Sequence, residues 1–263
     1  MVLLSFDIEE FDVPVEQGYQ SFPINQQLQI SLRGTETILN ILRKKGVRAT
    51  FFSTVTFWES LSKDIRNRIC TDGHELASHG VFHSDFKVEH LLESRQRLNA
   101  LWDGADVRGF RMPRMMPVSA LEIARAGYAY NSSLNPTFIP GRYNHFFAPR
   151  LPFADEYGVY QLPSSVTPLL RFPLFWLSLH HLPLDLYIKM IKRTIAHDDY
   201  LNLYFHPWEF AEINKLPNCK LSYTVTHRSG EEMCHRLERI IDALLLSHHT
   251  FGTASDYISS LRD

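Results

Sequence analysis

Short apolar runs alternate with stretches of helical period along this chain, and that alternation restricts its fold more than any other feature. Residues 2–6 are continuously apolar apart from Ser5, as in a strand buried on both faces. Residues 11–30, with Pro14, Pro23 and several glutamines, read as a loop. Helical spacing follows over 31–45 (Leu32, Thr35, Ile38, Leu39, Leu42), and Gly46 is placed to end it. Strands are then expected at 47–53, 75–78, 108–110, 128–130, 160–162 and 201–205, and helices at 57–70, 89–101, 119–126, 184–196 and 231–246. A turn at 252–255 leads into a short C-terminal helix, and 135–158, rich in proline, glycine and aromatics, reads as a long excursion. Strands alternating with helices predict an α/β fold with a parallel sheet and right-handed crossovers. No repeat, linker or low-complexity segment interrupts it, so residues 1–263 read as one domain.

Composition narrows the function. The 27 Lys and Arg nearly balance 29 Asp and Glu, which gives no footprint for nucleic acid. Cys70, Cys219 and Cys234 are odd in number and far apart, which argues against a disulfide scaffold or thiolate zinc site and suits a reducing compartment. The apolar start lacks a basic flank and stops at Asp7, so it reads as a core strand, not a signal peptide. No apolar run reaches transmembrane length. A soluble, cytoplasmic protein is expected.

The polar candidates fall at the C-terminal ends of predicted strands, where α/β sheets and barrels place their active sites. His79 and His83 follow 75–78 at i, i+4; on a helical turn that spacing would aim both imidazoles at one ion. Asp7 and Glu9, two residues apart past the first strand, point to the same side if extended geometry persists. One can bind a divalent ion while the other stays free as a base. Two histidines and one carboxylate leave positions on the metal for water and substrate, and such an ion lowers the pKa of its water to about 7. Zn2+ suits this donor set, as do Co, Fe, Ni and Mn. His206, ending 201–205, is placed to protonate a leaving amine, with Pro207 and Trp208 walling the pocket. Arg111 is placed to pair with Asp7 and hold it ionised.

Taken together, these stretches resemble the polysaccharide deacetylase (NodB-homology, carbohydrate esterase family 4) family. They are Ser5-Phe6-Asp7-Ile8-Glu9-Glu10, Arg48-Ala49-Thr50-Phe51-Phe52, Gly73-His74-Glu75 with His79-Gly80-Val81-Phe82-His83, Arg111-Met112-Pro113 and His206-Pro207-Trp208-Glu209. The resemblance implies a distorted (β/α) barrel, often seven-stranded, and metal-assisted hydrolysis of an N-acetyl group on a sugar, with metal-bound water as nucleophile. Carried over by position, it implies Asp7 as general base, Glu9, His79 and His83 as metal ligands, Arg111 as the residue orienting the base, and His206 as general acid. A backbone N–H after Arg111 would help the metal stabilise the oxyanion.

The chain departs from the family pattern in places. Ile8 separates Asp7 from Glu9 where many members have adjacent aspartates, so Glu10 rivals Glu9 as ligand. Asn131 stands where relatives often carry an aspartate, and so cannot tune His206 as an anion. Gln161 stands where relatives often have Glu. Residues 168–192 are unusually apolar: a core helix with its approach loop, or a rim that meets a membrane or a lipid-linked sugar. His180 and His181 read as surface or pocket-edge residues. The substrate expected is an N-acylated sugar or glycan, such as a nucleotide- or lipid-linked precursor. The alternatives are a deformylase or cyclic-amide amidase on the same fold, or a glycan-binding module without turnover.

Overall fold

The computed structural model describes residues 1–19, 22–102, 106–217 and 219–261. Eleven strands and eleven α-helices are present among the described residues, beginning with β1 (Val2–Ile8), α1 (Val13–Glu16) and α2 (Ile24–Lys45). Next come β2 (Thr50–Ser53), α3 (Val55–Ser60), α4 (Lys63–Thr71), β3 (Glu75–Ser78), α5 (Glu89–Ala100), β4 (Gly109–Phe110), α6 (Ala120–Arg125) and β5 (Tyr130–Asn131). The excursion holds a hairpin, β6 (Phe138–Ile139) with β7 (Tyr143–Asn144), and then β8 (Phe153–Ala154) and β9 (Tyr160–Gln161). The chain ends with α7 (Trp176–His181), α8 (Leu184–Asp198), β10 (Leu201–Phe205), α9 (Tyr223–Thr226), α10 (Glu231–Leu245), β11 (Phe251–Gly252) and α11 (Ala254–Ser260).

Seven parallel strands lie side by side in the order β10-β1-β2-β3-β4-β5-β9. Antiparallel β8 extends the β9 edge, and β11 pairs with the start of β1. β9 and β10 are not paired as strands. The segment after β9 spans that gap instead: Ser165 N–H donates to Asn202 O at 2.9 Å, Asn202 N–H to Ser165 Oγ at 2.8 Å, and Asn202 Nδ2 to Pro163 O at 3.2 Å. The result is a distorted (β/α) barrel closed by side chains and irregular backbone.

Strand alternation assigns the residues of β1. Phe6 and Ile8 join the core shared with the helices, while Leu3 faces the barrel interior with Phe52, Ala77, Tyr130 and Leu162. Ala254 and Ile258 of α11 close the lower end of that interior. Ser5 and Asp7 have the parity of Leu3, so Asp7 stands at the upper rim, where the strands end.

Three expectations need correction. The helix expected from residue 31 starts at Ile24, inside the stretch read as a loop. Its first turns bury Gln27, Ser31 and Gly34 beside a single apolar residue, Ile30, so only a weak apolar period marks them. The helix expected over 57–70 is two helices, α3 and α4, each with a hydroxyl N-cap: Thr54 accepts from Phe57 N–H and Ser62 from Ile65 N–H. His79 and His83 lie on no helical turn. His79 N–H donates to Ser53 O at 2.7 Å, which carries the β2–β3 ladder one residue further, and Gly80 then adopts φ +85°. The pair therefore stands on an extended strand end and the loop beyond it. No helix among the described residues is long and apolar enough to cross a membrane.

Candidate active site

Asp7, Glu9, His83, His206, Trp176 and Trp208 line a cleft of about 190 Å³ at the strand C-termini. The ends of β1 and β3, on either side of β2, bring one carboxylate and two imidazoles together there. Glu9 Oε2 lies 2.9 Å from His79 Nε2 and 3.2 Å from His83 Nε2, and the two rings lie parallel at 5.9 Å. All three side chains are at least nine-tenths buried, yet no hydrogen bond reaches Glu9 Oε2. Burial pushes the Glu9 carboxyl well above its usual range despite His83 beside it. Glu10 is turned elsewhere: its Oε2 accepts from Thr54 Oγ1 at 2.7 Å, at the start of α3.

The far side of each imidazole is held. His79 Nδ1 donates to the Arg111 carbonyl at 2.8 Å, which fixes the proton there and leaves Nε2 as a free lone pair. His83 Nδ1 donates to Asp12 Oδ2 at 2.9 Å with the same result. Asp12 also accepts from Ser84 Oγ and, at 3.1 Å, from Arg114 Nη2. Burial opposes ionisation of Asp12, but the His83 and Ser84 hydrogen bonds and Arg114 outweigh it and lower its pKa. For His83, burial is outweighed by Glu9 and Asp12, and its pKa is raised; for His79, burial prevails and its pKa is lowered. Arg114 reaches Asp12 because Arg114 and Met115, after Pro113, take the left-handed conformation at φ 56° and 52°. Asp12 was not singled out in the sequence. Its signal there is a carboxylate three residues beyond Glu9, easily taken for a solvated acidic turn.

Arg111 is fully buried, with its Nη1 2.6 Å from Asp7 Oδ1. Its Nε donates to Ser132 O at 3.0 Å and Nη2 to Ser132 Oγ at 2.9 Å, while the guanidinium lies 4.0 Å from the Phe52 ring centre. The expectation that Arg111 pairs with Asp7 is met. Burial would raise the Asp7 pKa, but Arg111, His79 and His206 together lower it, so Asp7 is an anion at neutral pH. The Met112 N–H after Arg111 donates to Ser133 Oγ at 2.8 Å and so has a partner within the protein.

His206 follows β10, whose five residues are all buried. Its ring stacks on Trp208 at 5.1 Å and meets Trp176 edge-on at 5.6 Å. Its Nδ1 donates to Glu209 Oε1 at 2.9 Å, and its backbone N–H donates to the same oxygen at 2.5 Å. The partner of His206 is therefore Glu209. Asn131 donates to Gln161 Oε1 at 2.9 Å and accepts from Ser133 Oγ, away from His206, so the expected Asn131 effect is not direct. The turn after His206 sits against α2 at Gly34, where a Cβ would lie 1.8 Å from Pro207 O. His180 corrects another expectation: it is fully buried behind Glu209 and does not lie at the pocket edge.

In the apolar stretch, Leu169 and Leu170 are 83% and 82% exposed, while Trp176 reaches the cleft. Residues with the donors to hold a divalent ion are thus present as Glu9, His79 and His83; a second acidic group, Asp12, Glu16 and His83, already engages Arg114.

Residues 28–116, about a third of the chain, match the polysaccharide deacetylase family model. The fold is similar to that of a Mycobacterium smegmatis protein assigned as a polysaccharide deacetylase, with TM-score 0.63 and 16% identity over 98% of this chain and 88% of that one. It is similar to Puue allantoinase, with TM-score 0.61 and 16% identity over 97% and 87% of the two chains. A CE4 family pseudoenzyme from Bacillus anthracis shares the fold with TM-score 0.53 and 13% identity over 97% of this chain and 64% of its own. By a sequence match over 28–116 and by fold along its length, the chain resembles the polysaccharide deacetylase family.

Proposed function

We propose that this chain is a metal-dependent hydrolase that removes an acyl group, acetyl first among them, from the nitrogen of an amino sugar or glycan. The observation that carries the reading is the buried Glu9 Oε2, without a hydrogen bond, facing two imidazole Nε2 atoms whose protons are fixed on the far side. That donor set fits a divalent ion, and Zn2+ is the metal we assign to it. When bound, such an ion supplies Lewis acidity and an acidified water.

The chain's own groups supply the proton transfers. Asp7 gives one oxygen to Arg111 and, kept ionised, is the general base. His206 gives Nδ1 to Glu209 and keeps Nε2 for the leaving amine. Arg111 is a positioning residue for Asp7. The walls Trp176 and Trp208 limit how a substrate approaches His206.

The test is elemental analysis of the protein after Zn2+ reconstitution, beside His79→Ala, followed by hydrolysis of N-acetyl sugars. One equivalent of metal, lost in the variant, with release of acetate is expected. No metal in either protein would sink this reading. The fold likeness to an allantoinase keeps the amidase and deformylase readings as the second choice; turnover of cyclic amides or formamido sugars, but not N-acetyl sugars, would favour them. Metal without any turnover would favour the glycan-binding reading, which the pseudoenzyme neighbour keeps in view. A membrane-borne or lipid-linked substrate is supported by exposed Leu169 and Leu170; sedimentation with phospholipid vesicles, lost in Leu169→Asp, is its expected sign.

A further inference from the structure

Behind the cleft, a buried histidine touches no substrate space yet closes a hydrogen-bonded chain that ends at His206. His180 Nδ1 lies 2.5 Å from the His227 carbonyl oxygen, and a carbonyl only accepts, so Nδ1 carries a proton. His180 Nε2 lies 3.0 Å from Glu209 Oε2. The other carboxylate oxygen already accepts two N–H bonds from His206. Both His180 and Glu209 side chains are fully buried. A neutral imidazole with its proton on Nδ1 has only a lone pair at Nε2, and a lone pair facing an ionised carboxylate repels it. The contact therefore needs one proton between the two atoms. Either glutamic acid donates to neutral His180, or cationic His180 donates to glutamate.

We infer that His180 is a positioning residue that shares one proton with Glu209, so that the group orienting His206 carries no net charge. The inference rests on His206 being the general acid of the reaction proposed above, but its charge state is a property of the folded protein alone. Both ways of placing the proton leave the pair neutral, so His206 is aligned by Glu209 without the full pull of an anion. An imidazolium held that way gives up its proton more readily to a leaving amine.

The surroundings agree. Arg236 of α10 donates to Leu179 O at 2.8 Å, and Arg228 donates to His180 O at 2.8 Å, so two cations stand near His180 and disfavour a further charge on it. Tyr187 of α8 and Asp7 of β1 are the other titratable groups that bear on Glu209. His181 and His227 lie on the outer side of His180. Burial pushes the Glu209 carboxyl up and the His180 imidazole down, which favours the carboxyl as the resting place of the shared proton.

The experiment is NMR of the Zn2+-reconstituted protein with labelled histidine ring nitrogens and glutamate carboxyl carbons, titrated from pH 5 to 8. It reads protonation directly, so it decides the inference whether or not the protein turns over N-acetyl sugars. The expected result is a His180–Glu209 pair that keeps one shared proton throughout. A carboxylate-like Glu209 beside a neutral His180 would overturn the inference, as would a pair that binds two protons.

Discussion

At the scale of the residue, the polar groups that directly follow a strand were legible and the partners held behind them were not. Asp7, Glu9, His79, Arg111 and His206 each follow a strand, and position alone marked them; Asp7, Glu9 and His206 line the cleft, with His79 against Glu9 and Arg111 against Asp7 behind it. Asp12, Glu209 and His180 touch only other side chains or backbone at the site, and nothing in their spacing distinguishes them from solvated acids or a surface histidine. Yet Asp12 sets the tautomer of His83, which is half of what would make that ring a ligand. Asp12→Asn keeps the size of the side chain but turns a charged acceptor into an amide that can also offer a donor to His83 Nδ1. We expect Zn2+ affinity to fall by about 10–100-fold, the range for such outer partners. Competition against a chromophoric chelator measures it. Unchanged affinity would mean that Arg114, not His83, is the main partner of Asp12.

At the scale of the element, the best-marked strands were the contiguous apolar runs. β3 and β10 fall where expected, because a short run buried on both faces has few other ways to fold. β4, β5 and β9 shrink to two residues each, since ladder contacts at the barrel's irregular side pass to loop backbone and side chains. The front of α2 escaped notice for a different reason: its buried face is shaped to accept another backbone, not an apolar side chain. Gly34 lets the turn after His206 lie directly on the helix. Gly34→Ala would place a methyl 1.8 Å from Pro207 O, and neither helix nor turn can yield without moving His206 or Trp208. Overpacking of this kind costs about 1–3 kcal/mol. We expect a lower denaturation midpoint and a loss of hydrolytic rate, with Zn2+ affinity kept, because Glu9, His79 and His83 come from other elements. Intact rate with lowered stability would show that the turn relaxes without shifting the acid.

At the scale of the whole molecule, the fold gathers ionisable groups at one rim, where a bound metal would balance their charge. Glu9 and His83 have raised pKa values in the absence of a metal, and each is most favourable in the fold while protonated. That contribution is full below the unfolded pKa values and is lost as pH rises through the folded ones, so the metal-free protein should lose stability from this pair on going up in pH. His79, lowered by burial, works the other way: its contribution is present above its unfolded pKa and lost as pH falls through its folded one. A divalent ion needs Glu9 ionised and Nε2 of both rings free, so protons compete with it directly. The stabilisation by Zn2+ should therefore grow with pH, both because binding tightens and because the metal-free reference weakens. At one hundred times its Kd, an ion binding only the folded chain adds about 2.7 kcal/mol, or roughly 5–10 °C in Tm for a protein of this size. Differential scanning calorimetry with and without Zn2+ should show a shift of that size at pH 7.5 that largely disappears at pH 5.5. His79→Ala should show little shift at either pH. A shift that did not change with pH would place the ion elsewhere, because no ligand set built on Glu9 and His83 can bind it without releasing protons.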